Sequence, residues 1–246
     1  MKIGIAGYGY VGQAQELLLQ DYHEIIVSDP VKKQYGDLKH ADAIIICVST
    51  PSDDWGECNV SNILDVLEES PDVPILIKST VSVEGWRRIS NINLNITYSP
   101  EFLRAWSWQE DAKNNKDYYF GGSGTNFWGD IFRHALGNIN ISIAKPEELV
   151  AAKALRNSYL ALKVSFFNQV YDYCKDQNIN FESVRGVITD DSRIGSSHSH
   201  VTSERGYGGH CLPKDVIATV RSAQSSGARL TLLEEADNYN KTVRKE

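Results

Sequence analysis

In the stretch GYGGHCLPKD, Cys211 follows Gly206, Gly208 and Gly209 and precedes Pro213, Lys214 and Asp215. Glycines allow backbone conformations and close ligand contacts that side chains would obstruct. Pro213 suits the first turn of a helix, where its missing N–H costs nothing. Cys211 is therefore expected just ahead of a helix N-terminus with Lys214 nearby, and both features favour the nucleophilic anion of a thiol. Asp215 is placed to position a water or a lysine. A buried cysteine behind a turn, with Asp215 as a helix-start acid, is the other reading of these residues. A second pair with chemical potential is Lys153 and Asn157, four residues apart, with Asn168 further along a similar direction. At helical spacing Lys153 and Asn157 project from one face, although a lysine so placed is otherwise a surface residue that snorkels.

The elements that must hold these groups are legible in the periodicity. The opening MKIGIAGYGYVGQAQELLL runs from an apolar strand through a glycine turn into a helix marked by Ala14, Leu17 and Leu18. Gly7, Gly9 and Gly12 form GxGxxG between strand and helix, the context in which backbone N–H groups meet a pyrophosphate. A second strand, HEIIVSD, ends in Asp29, seventeen residues after Gly12, where an acid accepts both ribose hydroxyls of NAD. Lys32 and Lys33 follow closely and would suit a 2′-phosphate, and Asp29 also reads as a turn residue before Pro30. The apolar runs ADAIIICVSTP and VPILIKSTV extend a parallel sheet buried on both faces. Ligands in such sheets bind beyond the carboxyl ends of the strands, which points Thr50 and Thr80 at the cofactor; each also reads as a cap for the next segment. INLNITYSPEFL is expected to be a further strand delivering Ser99, Pro100 and Glu101 to the same edge. From Pro146 to about Gln177 no glycine or proline interrupts a repeat of Leu155, Tyr159, Leu162, Phe166, Val170 and Tyr173, which predicts one long, mostly buried helix.

Composition narrows the function classes. A formal net charge of -7 over 246 residues argues against a sequence-independent grip on nucleic acid. Cys47, Cys58, Cys174 and Cys211 are too scattered for a disulfide scaffold or a CxxC metal site, so they read as free thiols of a reducing compartment, and no metal is expected. The most apolar run, Ala41 to Val48, is far below a membrane span, and the N-terminus carries glycines where a signal peptide has its apolar core. A cytoplasmic protein acting on a small molecule is the expectation.

In order along the chain, GYGYVG, CVSTP, KSTVSVEG, YSPEFLRA, AAKALRNSYLALKVSFFNQ, DDSRIG and GYGGHCLPKD resemble the motifs of the nucleotide-sugar 6-dehydrogenases, the UDP-glucose and GDP-mannose dehydrogenase family. The resemblance implies a Rossmann-like doubly wound α/β domain over residues 1–145 and a mostly helical domain with a long central helix over 146–246. It implies NAD held by Gly7, Gly9, Tyr10, Val11, Gly12, Asp29, Lys33, Thr50 and Thr80. The implied chemistry is a double oxidation of a sugar C6 alcohol to a uronate, with UDP-glucose foremost, through a hemithioacetal and then a thioester on Cys211. Lys153 and Asn157 match positions that stabilise a negatively charged oxygen. Asp215 matches the acid that orders a water beside that lysine, and Glu101 the carboxylate that helps activate the hydrolytic water, with Thr80 holding the water network. Substrate contacts fall on Glu101, Phe102, Leu103, Lys153, Asn157, Tyr207, Gly208 and Gly209. Arg193 resembles an arginine that reaches a neighbouring subunit's substrate, which implies a homodimer, expected through the long helix. Ala105 stands where the family carries a second glutamate. The family continues into a domain that closes on the nucleotide, which is not found before Glu246, so the chain is expected to be either a natural short form or one from which part has been removed. A one-step alcohol or hydroxyacid dehydrogenase with an incidental cysteine, and an NAD-binding module without turnover, are the two alternatives.

Overall fold

The computed structural model describes residues 1–53, 56, 58–92, 95–209 and 211–245. The chain divides into two compact units, the first holding residues 1–53 and 58–153 and the second beginning at Ala154.

The first unit is built on eight strands: β1 (Lys2–Ala6), β2 (Glu24–Asp29), β3 (Gln34–Tyr35), β4 (Ala43–Ile46), β5 (Ile75–Ile77), β6 (Ile96–Tyr98), β7 (Asp117–Gly122) and β8 (Asn140–Ile143). They lie in the order β3-β2-β1-β4-β5-β6-β7-β8. The run from β2 through β1, β4 and β5 to β6 is parallel, as the apolar runs predict. β3 and β7 join it antiparallel, and β8 is parallel to β7. The expected strand INLNITYSPEFL is shorter than read, covering Ile96–Tyr98, and its Asn93 and Leu94 lie outside the described residues.

Side-chain alternation along the strands sorts the core into two layers. Ile44 and Ile46 of β4 pack with Ile63 and Leu67 of α2 (Ser61–Glu69) and with Trp86 and Ile89 of α3 (Val83–Ser90). Ala43 and Ile45 of the same strand pack with Leu19 of α1 (Tyr10–Leu19) on the opposite face. A short helix, α4 (Trp108–Asn114), precedes β7, and Trp128 and Phe132 of α5 (Thr125–Leu136) complete the α1 layer. With helices on both faces, a fully apolar strand such as β4 has no solvated side to accommodate.

The turn after α1 carries a titratable group in that layer. Both ring nitrogens of His23 are buried and make no hydrogen bond, and its ring centroid lies 6.4 Å from that of His134 on α5. Burial first, then the N-terminal amine and His134, hold its pKa below the usual histidine value. The unfolded chain therefore takes up the proton first as pH falls. Stability from neutral His23 is complete above its unfolded pKa of about 6.5 and declines below it. His23→Leu is expected to flatten the fall in Tm as pH drops below about 6.5, which a series of thermal melts at decreasing pH would show.

The second unit is helical. α6 (Pro146–Asp176) begins in the first unit and continues into the second, followed by α7 (Phe181–Asp190), α8 (Leu212–Ser225) and α9 (Thr231–Val243). Ala161, Tyr207, Val216 and Leu233 form its core. The long helix has the expected extent, but the apolar repeat is not its buried face. Leu155, Tyr159, Phe166 and Tyr173 are 48%, 61%, 54% and 61% exposed, whereas Ser158, Ala161, Ser165 and Asn168 are buried with Phe167 and Cys174. Small side chains at that spacing let neighbouring backbones approach closely, so the inward stripe is small and polar and the larger groups face out. Among the described residues no helix is long and apolar enough to cross a membrane.

Candidate functional site

In the first unit the β1–α1 turn separates the glycines by what each does. Gly7 has φ +88°, and a Cβ there would lie 2.7 Å from the backbone of Cys47. A Cβ on Gly12 would lie 2.1 Å from the Gly7 carbonyl oxygen, so this glycine lets the helix close onto the turn. Gly9 differs, because a Cβ there would meet nothing within 4 Å. It is the N-cap of α1, supplies no side-chain cap, and the first turn carries no acid. The bare backbone at Gly9 is required by nothing in the chain itself, and it fits the approach of an anionic ligand to the helix start. Tyr10 and Val11 open that helix.

Asp29 closes β2 beside the same turn. Its Oδ2 accepts from the Tyr8 backbone N–H at 2.6 Å and its Oδ1 from that of Lys32 at 3.1 Å. Two fixed donors orient the carboxylate and leave each oxygen a further lone pair, as a pair of ribose hydroxyls would need. The Tyr8 hydroxyl donates to Glu16, and that bond, more than burial, pushes its pKa up to about 12. Lys33 is exposed with φ 56°, at the end of the short turn that follows Asp29. These residues fit a dinucleotide of the NAD type.

The carboxyl ends of β4, β5 and β6 carry the polar groups. The Thr50 hydroxyl donates to the Thr80 carbonyl at 2.6 Å, which ties the two strand ends together; Thr80 itself is half-buried. Glu101 accepts from the backbone N–H of Phe102 at 2.9 Å, and its carbonyl accepts from Lys153 Nζ. That ammonium lies 5.2 Å from the Phe102 ring centroid, a cation–π distance. Phe102 and Leu103 are half-buried, and Ala105 is exposed beside Arg104. The Arg104 guanidinium is held by Asp111, whose carboxyl it keeps below the ordinary range. One group here escaped the sequence reading: Lys78, buried behind the sheet edge, forms an ion pair with Glu101 at 3.2 Å. Its only signal was a charged residue directly after the apolar ILI.

In the second unit Cys211 is the N-cap of α8, with Pro213 in the first turn. Its φ of −91° and ψ of −54° are helical, and its carbonyl accepts from the Asp215 N–H at 2.8 Å. Asp215 is buried, and its Oδ2 accepts from Asn157 Nδ2 at 2.6 Å. Lys214 Nζ stands 3.2 Å from Oδ1, an ion-pair contact without hydrogen-bond geometry. The Asn157–Asp215 bond fixes which way the carboxamide faces.

The glycine loop ahead of Cys211 is braced by two asparagines. Asn168 Oδ1 accepts from Arg205 Nε at 2.9 Å and from the Gly206 N–H at 3.0 Å. Asn240 Oδ1 accepts from the Tyr207 N–H at 2.7 Å while its Nδ2 donates to the Tyr207 carbonyl at 3.0 Å. The Tyr207 side chain is buried, its hydroxyl donating to Asp237 at 2.9 Å, so this residue is fully engaged within the unit. Gly208 lies against the Arg244 guanidinium, and Gly209 has φ +78° with open space where a Cβ would be. Arg193 is exposed in the turn after α7 and folds back on Asp191, with Nε 3.0 Å from both carboxylate oxygens. Lys163 of α6 donates to the carbonyls of Ile194 and Gly195 at 2.6 and 2.8 Å and anchors that turn. Among the described residues no group of three or more metal-ligating side chains is found.

Residues 148–242 match the UDP-glucose/GDP-mannose dehydrogenase family, central domain. The chain is 29% identical to a UDP-glucose 6-dehydrogenase of Campylobacter jejuni over 87% of its own length and 66% of that relative. It is 30% identical to one of Rickettsia felis, over 74% of the chain and 44% of the relative. The chain thus spans less than two thirds of these curated relatives. Its fold is similar to that of a UDP-glucose dehydrogenase from Pyrobaculum islandicum, with a TM-score of 0.85 at 21% identity, covering 98% of the chain and 68% of that structure.

Proposed function

We propose that this chain, whose residues 148–242 match the UDP-glucose/GDP-mannose dehydrogenase family, central domain, oxidises the C6 alcohol of a nucleotide sugar twice to give a uronate, using NAD. UDP-glucose is the first substrate to test, because the relatives are UDP-glucose 6-dehydrogenases. The observation that carries the reading is the start of α8: a cysteine at the N-cap, and one turn on a buried aspartate that fixes an amide donor.

NAD would be held by Gly7, Gly9, Gly12, Asp29 and the opening turn of α1, and when bound it supplies the hydride acceptor for both oxidations. Thr50, Thr80 and Lys33 complete its surroundings in this reading. On the second unit, Cys211 Sγ adds to the C6 aldehyde left by the first oxidation, forming a C–S bond and a hemithioacetal. After the second oxidation the adduct is a thioester. Water then attacks its carbonyl carbon, the C–S bond breaks, and the thiolate returns to Cys211 as the carboxylate leaves. Asn157, its carboxamide set by Asp215, donates to the oxygen that gathers charge at each stage, and Lys153 does so as a cation. Glu101, with Thr80, takes up the proton of the attacking water. Phe102, Leu103, Gly208 and Gly209 line the sugar. Summed, one alcohol, two NAD and one water give one carboxylate, two NADH and three protons.

The same reading pairs two copies of the chain. The exposed Leu155, Tyr159, Phe166 and Tyr173 of α6 supply an apolar stripe for a homodimer, and Arg193 is the residue it would present to the partner's substrate. Sedimentation velocity at micromolar concentration checks the assembly. Four free cysteines are in keeping with a cytoplasmic setting. The deciding experiment is a panel of UDP- and GDP-sugars with NAD, reading both NADH and acid. Two NADH per uronate supports the assignment, whereas one NADH with an aldehyde or ketone favours the one-step dehydrogenase.

A further inference from the structure

We infer that Lys78 is a positioning residue for Glu101: its buried ammonium holds the carboxylate in one orientation, so that acid formation depends on a lysine that touches no substrate. The inference rests on the proposed function, in which Glu101 serves the hydrolytic step.

Strand register brings the two together. Ile77 at the end of β5 pairs with Tyr98 at the end of β6, and the ladder continues with Ser99 N–H donating to the Ile77 carbonyl at 3.0 Å. Lys78 therefore stands beside Ser99, two residues before Glu101. The Lys78 N–H donates to the Ile46 carbonyl at 2.9 Å, which fixes the backbone on its other side. Its side chain is 2% exposed, with Nζ 3.2 Å from Glu101 Oε2, 3.2 Å from Ser99 Oγ and 5.9 Å from the Phe132 ring centroid. An ammonium so enclosed is strongly unfavourable unless a carboxylate and hydrogen-bonding partners compensate it.

Among the described residues Glu101 is the carboxylate that Lys78 meets. Cys47, nearby, offers no competing anion, because burial pushes its thiol up to about 12 against the opposing pull of Lys78. Both Glu101 oxygens are engaged from within the unit, Oε1 by the Phe102 N–H and Oε2 by Lys78, with Gln15 Nε2 at 3.5 Å. The side chain is 15% exposed, so the remaining lone pairs are the ones a water can reach. Without Lys78, the carboxylate loses the contact that aims it.

Four proteins decide the matter: the wild type, Lys78→Met, Glu101→Gln and the double variant. Each is assayed for NADH, released acid and acyl adduct on Cys211 by mass spectrometry. Lys78→Met is expected to slow acid formation about 10- to 100-fold and to build up adduct, with NAD affinity and the first NADH moving less than about twofold. In the Glu101→Gln background, Lys78→Met should bring no further loss of acid formation. Unchanged acid formation in Lys78→Met, losses that multiply in the double variant, or an equal loss at every step including NAD binding would each overturn the inference. Thermal melts of the same proteins read the pairing without turnover. Each single change should lower Tm, since it leaves one charge buried alone, and the double variant, with neither charge, should recover most of the loss. Simple addition of the two shifts would overturn the pairing. A wild type that makes no acid from any nucleotide sugar would instead defeat the proposed function, and the melts would then decide whether Lys78 and Glu101 are coupled. Should Lys78→Met fail to fold, recovery of folding in the double variant supports the pairing and its absence overturns it.

Discussion

Cys211→Ser is expected to lower uronate formation by roughly 10^4-fold or more, because removing the nucleophile of a covalent mechanism removes the intermediate itself. The serine hydroxyl is close in size to the thiol but is a far weaker nucleophile without a neighbouring base. The first oxidation needs no sulfur, so a hydrazine trap should collect aldehyde and NADH should appear without a matching acid. NAD affinity should be unchanged, since the glycine turn and Asp29 belong to the other unit. Stability should hold as well, since Cys211 is the N-cap of α8 and serine is among the residues preferred there. The measurements are acid by mass spectrometry, NADH by absorbance and NAD binding by calorimetry. Full uronate output from this variant would end the assignment of Cys211 as nucleophile.

The second large effect separates two glycines of one motif. Gly12→Val places a Cβ 2.1 Å from a backbone carbonyl that has nowhere to go, and is expected to destabilise the first unit by more than about 4 kcal/mol. Gly9→Val meets no atom of the chain, and its cost is that of a poor N-cap, about 1 kcal/mol. It should nevertheless weaken NAD binding by about 100-fold, equivalent to roughly 2.7 kcal/mol, by standing where the ligand comes closest. Thermal melts and NAD titrations of the two variants would show one folding defect and one binding defect. Wild-type NAD affinity in Gly9→Val would remove the turn from the cofactor site.

The legibility of these features in the sequence follows the range of the interactions behind them. The β1–α1 turn was readable because its strand, glycines and helix are contiguous. So was the N-cap position of Cys211, which Pro213 announces two residues on. The parallel run of strands was readable because burial on both faces leaves an apolar word such as AIII. What escaped depends on contacts across long stretches of chain. The ion pair of Lys78 with Glu101 arises from the β5–β6 register, and the antiparallel entry of β7 has no local signature. The outward face of α6 was misread as buried because Leu155, Tyr159 and Phe166 at helical spacing describe an apolar stripe without saying what covers it. The small stripe of Ser158, Ala161 and Ser165, which the fold buries, carries little hydrophobic signal. Likewise the two asparagines that brace the glycine loop lie on helices far from it in sequence.

That bracing changes what a ligand has to do. A loop with Gly206, Gly208 and Gly209 would ordinarily sample many shapes, and stilling it would oppose binding by about 1 to 2 kcal/mol for each residue ordered. With amide groups of Asn168 and Asn240 standing in for the missing ladder of a sheet, the backbone of Gly206 and Tyr207 is immobilised when the protein folds. Whatever docks against that backbone meets a finished surface, and its affinity is not diminished by having to freeze one.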